Sequence, residues 1–564
     1  MRRNMQRGRS PTSLAPEPSR APGWNPLTLA ALAGLWIAAL PNWPLWRALL
    51  ALPESASARG LLFVLAFGVM VAALTTALLA AFAWRAVIKP AIAVLLLGAA
   101  FGAHFMGAYG VVIDPTMMIN VLQTDPREVR DLLGPGMLAS VAGLALLPAW
   151  LVWRLPLQRA GGLAQATRNL VGGLVALLLV SALALAFFAD LSATMRNHRS
   201  MRYLINPINS IYALGSLAVR ATKTPRGPPL AIGVDARILP RPAGTLPPLL
   251  LLVIGETARA DHFSLNGYAR PTNPELATLG VVSFRRVTSC GTSTAASLPC
   301  MFSHLGRVAF DDRQRDHENL LDLVQRAGMA VLWLDNQAGC KGLCDRVPSA
   351  QANVPAPGAA PLPAGLCGGG ECLDAALLHG LDARLAALPA EARARGVLIV
   401  LHPMGSHGPA YARRSPPDRK PFVPECTSNA LQQCERAALV NAYDNSIAYT
   451  DHVLAGAIGW LRQQSARHAT TLLYVSDHGE SLGENNLYLH GLPFAVAPAA
   501  QTHVPWIVWP AASAGVGPGP GCLEAMRDRA LTHDNLFHSA LGVLGVRAAE
   551  YRAELDAFAA CRSP

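Results

Sequence analysis

Two shortages divide this chain of 564 residues. Between residue 27 and about residue 190 charged side chains are few, and before Cys290 there is no cysteine at all. The first shortage excludes an ordinary water-soluble fold over that stretch, because a surface facing water carries a substantial share of charged residues. The stretch holds instead five apolar runs rich in Ala, Leu, Val and Gly, at about 27–45, 61–84, 89–111, 136–153 and 169–189. Runs of roughly 18 or more such residues are what a bilayer-spanning helix requires. No small-x-small cleavage site follows the first run and its basic lead-in is long, which argues against a removable leader. No internal repeat is visible, which excludes a repeat architecture.

The second shortage confines all ten cysteines to the region from Cys290 to Cys561. They fall into close pairs, Cys290/Cys300, Cys340/Cys344, Cys367/Cys372 and Cys426/Cys434, leaving Cys522 with Cys561. An even count restricted to one part of the chain reads as a disulfide framework in an oxidising compartment. The spacings are too irregular for paired zinc-binding cysteines. Basic residues give the same orientation, since they mark the cytoplasmic flanks of spans. Arg2, Arg3, Arg7, Arg9 and Arg20 precede the first run, Arg85 and Lys89 lie in the second connection, and Arg154, Arg159 and Arg168 in the fourth. Five spans with the N-terminus inside place the cysteine-bearing part outside; Arg196, Arg199 and Arg202, after the fifth run, then face lipid headgroups. The formal charge of +11 sits largely in the N-terminus and at membrane edges, so anionic lipid, and not nucleic acid, is the expected partner.

Four regions follow. Residues 1–26 are a basic cytoplasmic lead-in, and 27–190 a transmembrane domain of five spans. Residues 191–245 are an amphipathic connector and a Pro/Gly-rich linker, and 246–564 an α/β domain with a mostly parallel sheet flanked by helices. In that last region the apolar runs end in chemistry. LLLLVIGET leads to Glu256, GMAVLWLDNQ to Asp335 and Asn336, GVLIVLHPMGSHG to His402 and His407, and TLLYVSDHGE to Asp477 and His478. Open α/β sheets bind ligands beyond the carboxyl ends of their strands, so these residues are expected to converge.

Asp477 and His478 offer a carboxylate oxygen and an imidazole nitrogen to one cation, with Glu256 as a third ligand; such a set suits Zn2+. Singly, a DH pair reads as a helix cap beside a surface histidine, and His407 and His490 as loop residues. At several strand ends together they favour a metal site. The fourth ligand could come from CGTSTAASLPC, residues 290–300, where two cysteines bracket Thr292, Ser293, Thr294 and Ser297. A hydroxyl is a poor nucleophile until a base or a metal activates it. Spacing alone does not choose among the four, and the same loop also reads as a polar turn capping a helix.

Together, VIGETARADHFSLNGY, SCGTSTAASLPCMFS, GCKGLCDRV, LHPMGSHGPAY and YVSDHGESLGENNLYLHGLP resemble the phosphoethanolamine transferases of Gram-negative inner membranes, which include lipid A-modifying enzymes and mobile colistin-resistance proteins. The resemblance covers nearly the whole chain. It implies a five-helix membrane domain and a periplasmic domain of the alkaline phosphatase/sulfatase-like fold. It implies a zinc site of Glu256, Thr294, Asp477 and His478, with Thr294, the second threonine of the Cys-Gly-Thr-Ser-Thr pattern, as nucleophile. His407 and His490 match histidines that bind a second zinc or serve the phosphate and its protons. Lys341, between Cys340 and Cys344, matches a phosphate contact. Asn120 and Glu128, in MMINVLQTDPREV, match positions that touch the lipid donor.

The implied reaction is ping-pong: phosphatidylethanolamine gives its phosphoethanolamine to Thr294 and releases diacylglycerol, and a lipid A phosphate then takes the group. The protein is expected to be a monomer whose expression bears on polymyxin resistance. A lipopolysaccharide core sugar or a periplasmic glucan is the rival acceptor. A sulfatase is a more distant rival, since no C/S-x-P-x-R context surrounds Cys290. A membrane scaffold with a dead hydrolase fold is the non-catalytic rival, and a full ligand set speaks against it.

Overall fold

The structure, a computed structural model, describes residues 23–124, 126–223, 227–337, 339–368, 371–510 and 519–562. The arginines of the N-terminal lead-in lie outside these residues.

The apolar front forms helices α1 (Pro26–Ala39), α2 (Trp43–Leu50), α3 (Ala58–Ala80), α4 (Ile88–Tyr109), α7 (Pro135–Arg154) and α8 (Gly162–Ala186). Between α4 and α7 run two short helices, α5 (Pro115–Gln123) and α6 (Pro126–Leu132). Side-chain caps start several of them: Asn25 accepts from Leu27 N, Ser57 from Gly60 N and Asp114 from Met117 N. Leu163, Leu178 and Leu185 stand 84%, 67% and 75% exposed, an arrangement suited to hydrocarbon and costly in water. Among the described residues four helices are long and apolar enough to cross a bilayer, or five if the bent pair α1 and α2 is one span.

The first apolar run, read as one span over 27–45, is broken. α1 and α2 meet at 49°, because Pro41 and Asn42 interrupt the backbone ladder and Asn42 is committed elsewhere. Asn42 Nδ2 donates to Ile37 O at 2.8 Å and Asn206 O at 2.6 Å, and Asn42 Oδ1 accepts from Asn206 N at 2.9 Å. Asn206 Nδ2 reaches Ala99 O at 2.6 Å. Two fully buried asparagines thus tie the kink and α4 to the segment after the fifth span. That segment continues as α9 (Phe188–Asn197) and α10 (Ile208–Lys223).

Beyond it lies a sheet of eight strands: β1 (Pro248–Gly255), β2 (Val282–Thr288), β3 (Ala330–Asp335), β4 (Ser349–Gln351), β5 (Val397–His402), β6 (Ala469–Ser476), β7 (His503–Pro510) and β8 (Ala530–Thr532). Their order is β8-β2-β7-β6-β1-β5-β3-β4. Only β7 runs against its neighbours β2 and β6. All eight residues of β1 are buried, as expected of a parallel strand covered on both faces. Leu250, Leu252 and Ile254 pack on one side with Trp333 and Phe537; Leu249, Leu251 and Val253 pack on the other with Tyr443 and Leu454. The latter two belong to the long helix α12 (Arg436–Gln464). In register, Gly255 pairs with Ser476, Val253 with Leu401, and Asp335 with His402. The carboxyl ends of β1, β3, β5 and β6 therefore form one edge. The sulfurs are joined as Cys290–Cys300, Cys340–Cys344, Cys367–Cys372, Cys426–Cys434 and Cys522–Cys561.

Replacing Asn42 with Leu keeps the branching pattern of the side chain but removes three buried hydrogen bonds and leaves Asn206 groups unpaired. The expected cost is about 2–4 kcal/mol, read as a drop of several degrees in the melting temperature of the detergent-solubilised protein. An unchanged melting temperature would deny the asparagine pair its role.

Candidate active site

Glu256 follows β1, Asp335 ends β3, His402 ends β5, and Asp477 and His478 follow β6. Thr294 opens the helix α11 (Thr294–Met301) on the loop closed by Cys290–Cys300. Its Oγ1 lies 3.1 and 3.0 Å from the two carboxylate oxygens of Glu256 and 3.4 Å from His478 Nε2. His478 Nε2 is also 3.4 Å from Glu256 Oε1 and 3.4 Å from Asp477 Oδ2. The other loop hydroxyls are turned to local tasks. Thr292 Oγ1 donates to Leu492 O at 2.6 Å, Ser297 Oγ accepts from Gly291 N at 2.8 Å, and Ser293 Oγ is buried without a hydrogen bond.

Glu256, Asp477 and His478 have no side-chain exposure. Burial penalises each charge, and two buried carboxylates repel one another. Burial, and then the charge of Glu256, pushes Asp477 up to about 6. Burial opposes the charge on His478, yet Asp477 and Glu256 carry it up to about 10. Burial also opposes ionisation of Glu256, but the hydrogen bond and charge of His478 hold it well below the usual carboxylate range.

The ligand atoms of these three residues lie within 4.8 Å of one another. Asp477 Oδ2 is buried and accepts no hydrogen bond, while Oδ1 accepts from Thr257 N and His478 N. His478 Nδ1 sits 2.9 Å from Gly479 O; donating there makes Nε2 the ring nitrogen that a cation would take in exchange for its proton. Two carboxylates, an imidazole nitrogen and a hydroxyl make an oxygen-rich set that fits a divalent ion such as Zn2+.

Around this set are residues that sequence reading passed over. Gln337 Nε2 donates to Glu256 Oε2 at 2.5 Å. Asp374 accepts from the backbone N–H groups of Met404 and Gly405. Gly405 has φ +54 and lies so close to Glu256 that an added Cβ would come within 2.8 Å of Glu256 O, so only glycine suits that crossing. His533 Nδ1 accepts from Cys290 N at 3.0 Å, and its Nε2 faces Ser476 O at 2.9 Å, pinning the stapled loop to the end of β6. A polar residue at a strand end could have pointed to Gln337; nothing local in the sequence points to His533.

His490 lies beside His478, ring centres 4.3 Å apart, and His407 is 5.7 Å from His490. His490 Nδ1 is 3.2 Å from the buried Glu480 carboxylate. Lys341, at φ +49, points its Nζ to Gln123 O at 3.2 Å. Asn120 makes its contacts within its own segment, to Met117 Sδ at 3.9 Å and, through its carbonyl, to Thr124 Oγ1 at 2.7 Å. Glu128 is on α6, but its side chain lies outside the described residues. A cavity of about 1030 Å³ opens beside α5 and the stapled loop and is lined by Thr116, Ile119, Gln123, Thr292, Ala296 and Lys341 among others.

A mostly parallel sheet whose strand ends gather acids, histidines and one helix-initial hydroxyl, set on a membrane bundle, defines a membrane-anchored enzyme with a sulfatase-like catalytic domain. A sulfatase family model matches residues 248–546, and the model for phosphoethanolamine transferase EptA/EptB matches residues 70–222. The chain is 38% identical over 557 residues to phosphoethanolamine transferase EptA of Escherichia coli K12, covering 96% of this chain and 98% of that protein. It is 40% identical over 501 residues to phosphatidylethanolamine transferase Mcr-1 of Escherichia coli, covering 86% and 88%. The structure of the integral membrane lipooligosaccharide phosphoethanolamine transferase A of Neisseria meningitidis superposes with a TM-score of 0.88 at 33% identity, over 95% of this chain and 99% of that one. The chain belongs to the phosphoethanolamine transferase family. It is a multi-pass inner-membrane enzyme with a periplasmic catalytic domain.

Burial, partly offset by the hydrogen bond to Ser476, lowers His533 to about 3. A histidine depressed in the folded state contributes stability that is complete above its unfolded value near 6.5 and is lost as pH falls toward the folded value. At pH 5 the loss is about 2 kcal/mol. The melting temperature of wild type minus that of His533→Gln is therefore expected to shrink between pH 7 and 5. A constant difference would remove this histidine from the acid limb of stability.

Proposed function

We propose that the enzyme transfers phosphoethanolamine from phosphatidylethanolamine to a lipid A phosphate through a covalent intermediate on Thr294. The observation that carries this reading is the Thr294 hydroxyl within 3.0–3.1 Å of both Glu256 oxygens and 3.4 Å of His478, beside an Asp477 oxygen with no donor. That is where a phosphorus atom would meet a nucleophile inside a prepared electrostatic field. The full-length structural relative is named for lipooligosaccharide and Mcr-1 for phosphatidylethanolamine, which supports this donor and acceptor.

Glu256, Thr294, Asp477 and His478 would hold one zinc ion, with His407 and His490 available to a second. Bound there, zinc supplies Lewis-acid stabilisation of negative oxygen and lowers the cost of ionising a hydroxyl. The chain's own residues do the rest. Glu256 accepts the Thr294 hydrogen bond and fixes the oxygen toward phosphorus. Thr294 Oγ forms a bond to phosphorus, its proton passing to Glu256 and returning when Thr294 leaves, as the glyceryl oxygen of the donor departs. His490 gives that oxygen a proton, with Glu480 as counter-charge, and diacylglycerol departs. A lipid A phosphate oxygen then bonds to the phosphorus and Thr294 leaves, regaining its proton. An acceptor phosphate is already ionised and needs no base for its attack. His407 would contact the phosphoryl oxygens, and Lys341, Asn120 and Glu128 are assigned to the donor headgroup by the resemblance of their segments to the family.

Thr294→Ala should abolish transfer while the protein still inserts and folds, checked by mass spectrometry of lipid A from cells expressing each form. A phosphoethanolamine mass increment that persists in the variant removes Thr294 from its role. No increment with wild type rejects lipid A as acceptor. Separately, chelation of the purified enzyme with EDTA should stop turnover and added Zn2+ restore it; activity that survives thorough chelation counts against the metal.

A further inference from the structure

A buried guanidinium joins the catalytic domain to the membrane domain at the site. Arg414 has a side chain only 4% exposed. Its Nε donates to the His407 carbonyl at 2.9 Å, and its Nη1 reaches Glu371 at 3.3 Å, on the hairpin closed by Cys367–Cys372. Its Nη2 lies 3.8 Å from Asp131 Oδ2. The other oxygen of Asp131 is paired with Arg413. Asp131 is on α6, from the connection between two spans, and its side chain is 9% exposed.

A guanidinium this deeply buried needs its donors occupied and its charge balanced. Among the described residues the catalytic domain gives it one ion-paired carboxylate, Glu371, and a second comes from the membrane domain. The same patch is fastened by Asn429 Nδ2, which donates to Asp131 O at 2.8 Å, and by Tyr109 OH, 3.4 Å from Asn429 O. Two further contacts tie this connection to the catalytic domain near the site. Lys341 Nζ donates to Gln123 O, and Gly491, next to His490, packs against Met117.

We infer that Asp131 is a positioning residue: through Arg414 it fixes the backbone that carries His407, so that this histidine takes its working place only when α6 is docked on the catalytic domain. The inference rests on the reading above that His407 serves the transferred phosphoryl group. Asp131 itself touches no substrate. The fork of Arg414 transmits its effect, because directed donors hold the His407 carbonyl and Glu371 while the charge of Asp131 draws the far end of the same rigid group.

The test uses the full chain in phosphatidylethanolamine-free nanodiscs and a soluble aryl diester of phosphoethanolamine. Its P–O(aryl) bond breaks as the group passes to Thr294 and then to water. This probe has no acyl chains, so a loss of turnover cannot arise from lost contacts to lipid tails, and lost headgroup contacts from α5 and α6 would raise KM instead of lowering kcat. Asp131→Asn is expected to lower kcat about tenfold with KM unchanged, the scale of a displaced catalytic group. Arg414→Lys, which keeps charge and bulk but not the fork, is expected to fall as far. The double variant should fall no further than the worse single one, because both act through one path. Wild-type turnover in Asp131→Asn, or losses that multiply in the double variant, overturns the inference. His407→Ala, measured alongside, separates the two claims: full activity there refutes the role given to His407 and not the link itself.

Discussion

Two carboxylates, Glu256 and Asp477, are buried from solvent around one imidazole nitrogen, each 3.4 Å from it. That is an expensive arrangement for a fold to keep, and much of the catalytic domain serves to keep it. Parallel register brings the ends of β1 and β6 level. Gly405 lets a neighbouring loop press against the backbone of Glu256, Gln337 occupies one of its oxygens, and backbone N–H groups occupy one oxygen of Asp477. What stays without a hydrogen bond is one carboxylate oxygen, facing a threonine hydroxyl and the imidazole. A divalent cation, as proposed above, would close this inventory.

The membrane domain does more than anchor. Its periplasmic connection, α5 and α6, lies over the catalytic domain on the side of Lys341, Gly491 and Arg414. Lipid substrates diffuse in two dimensions and present headgroups at a fixed height. A site built between a soluble sheet and helices in the bilayer meets both at that height, which supplies proximity without a long search.

Much of this was legible in the sequence, and the reason is physical. A buried parallel strand must be a nearly unbroken apolar run, so the acid or histidine that ends it stands out; Glu256, Asp477 and His478 were visible that way. The helices of the membrane domain were visible by length. The choice of Thr294 among four hydroxyls was not, because adjacent residues differ only in which way the loop turns them. Gln337, His533 and Arg414 act across 81, 243 and 283 residues of chain, on Glu256, Cys290 and Asp131, and no local pattern encodes such partners. The break in the first span was written as LPNWP, but the apolar content around it outweighs one asparagine until Asn206 is seen beside it.

The disulfides have a consequence of a different kind. Four of the five span only 4 to 10 residues. Cross-links that short remove little disorder from the unfolded chain, about 2–3 kcal/mol each by loop-closure reasoning, and the sheet beneath them does not depend on them for its pairing. Their effect is local stiffness at the rim: one closes the Thr294 loop, one brackets Lys341, and one closes the hairpin that bears Glu371. A thiol-reducing environment would therefore loosen the rim that aims Thr294 as well as weaken the fold, and the oxidising state of the periplasm becomes in effect part of the catalytic apparatus.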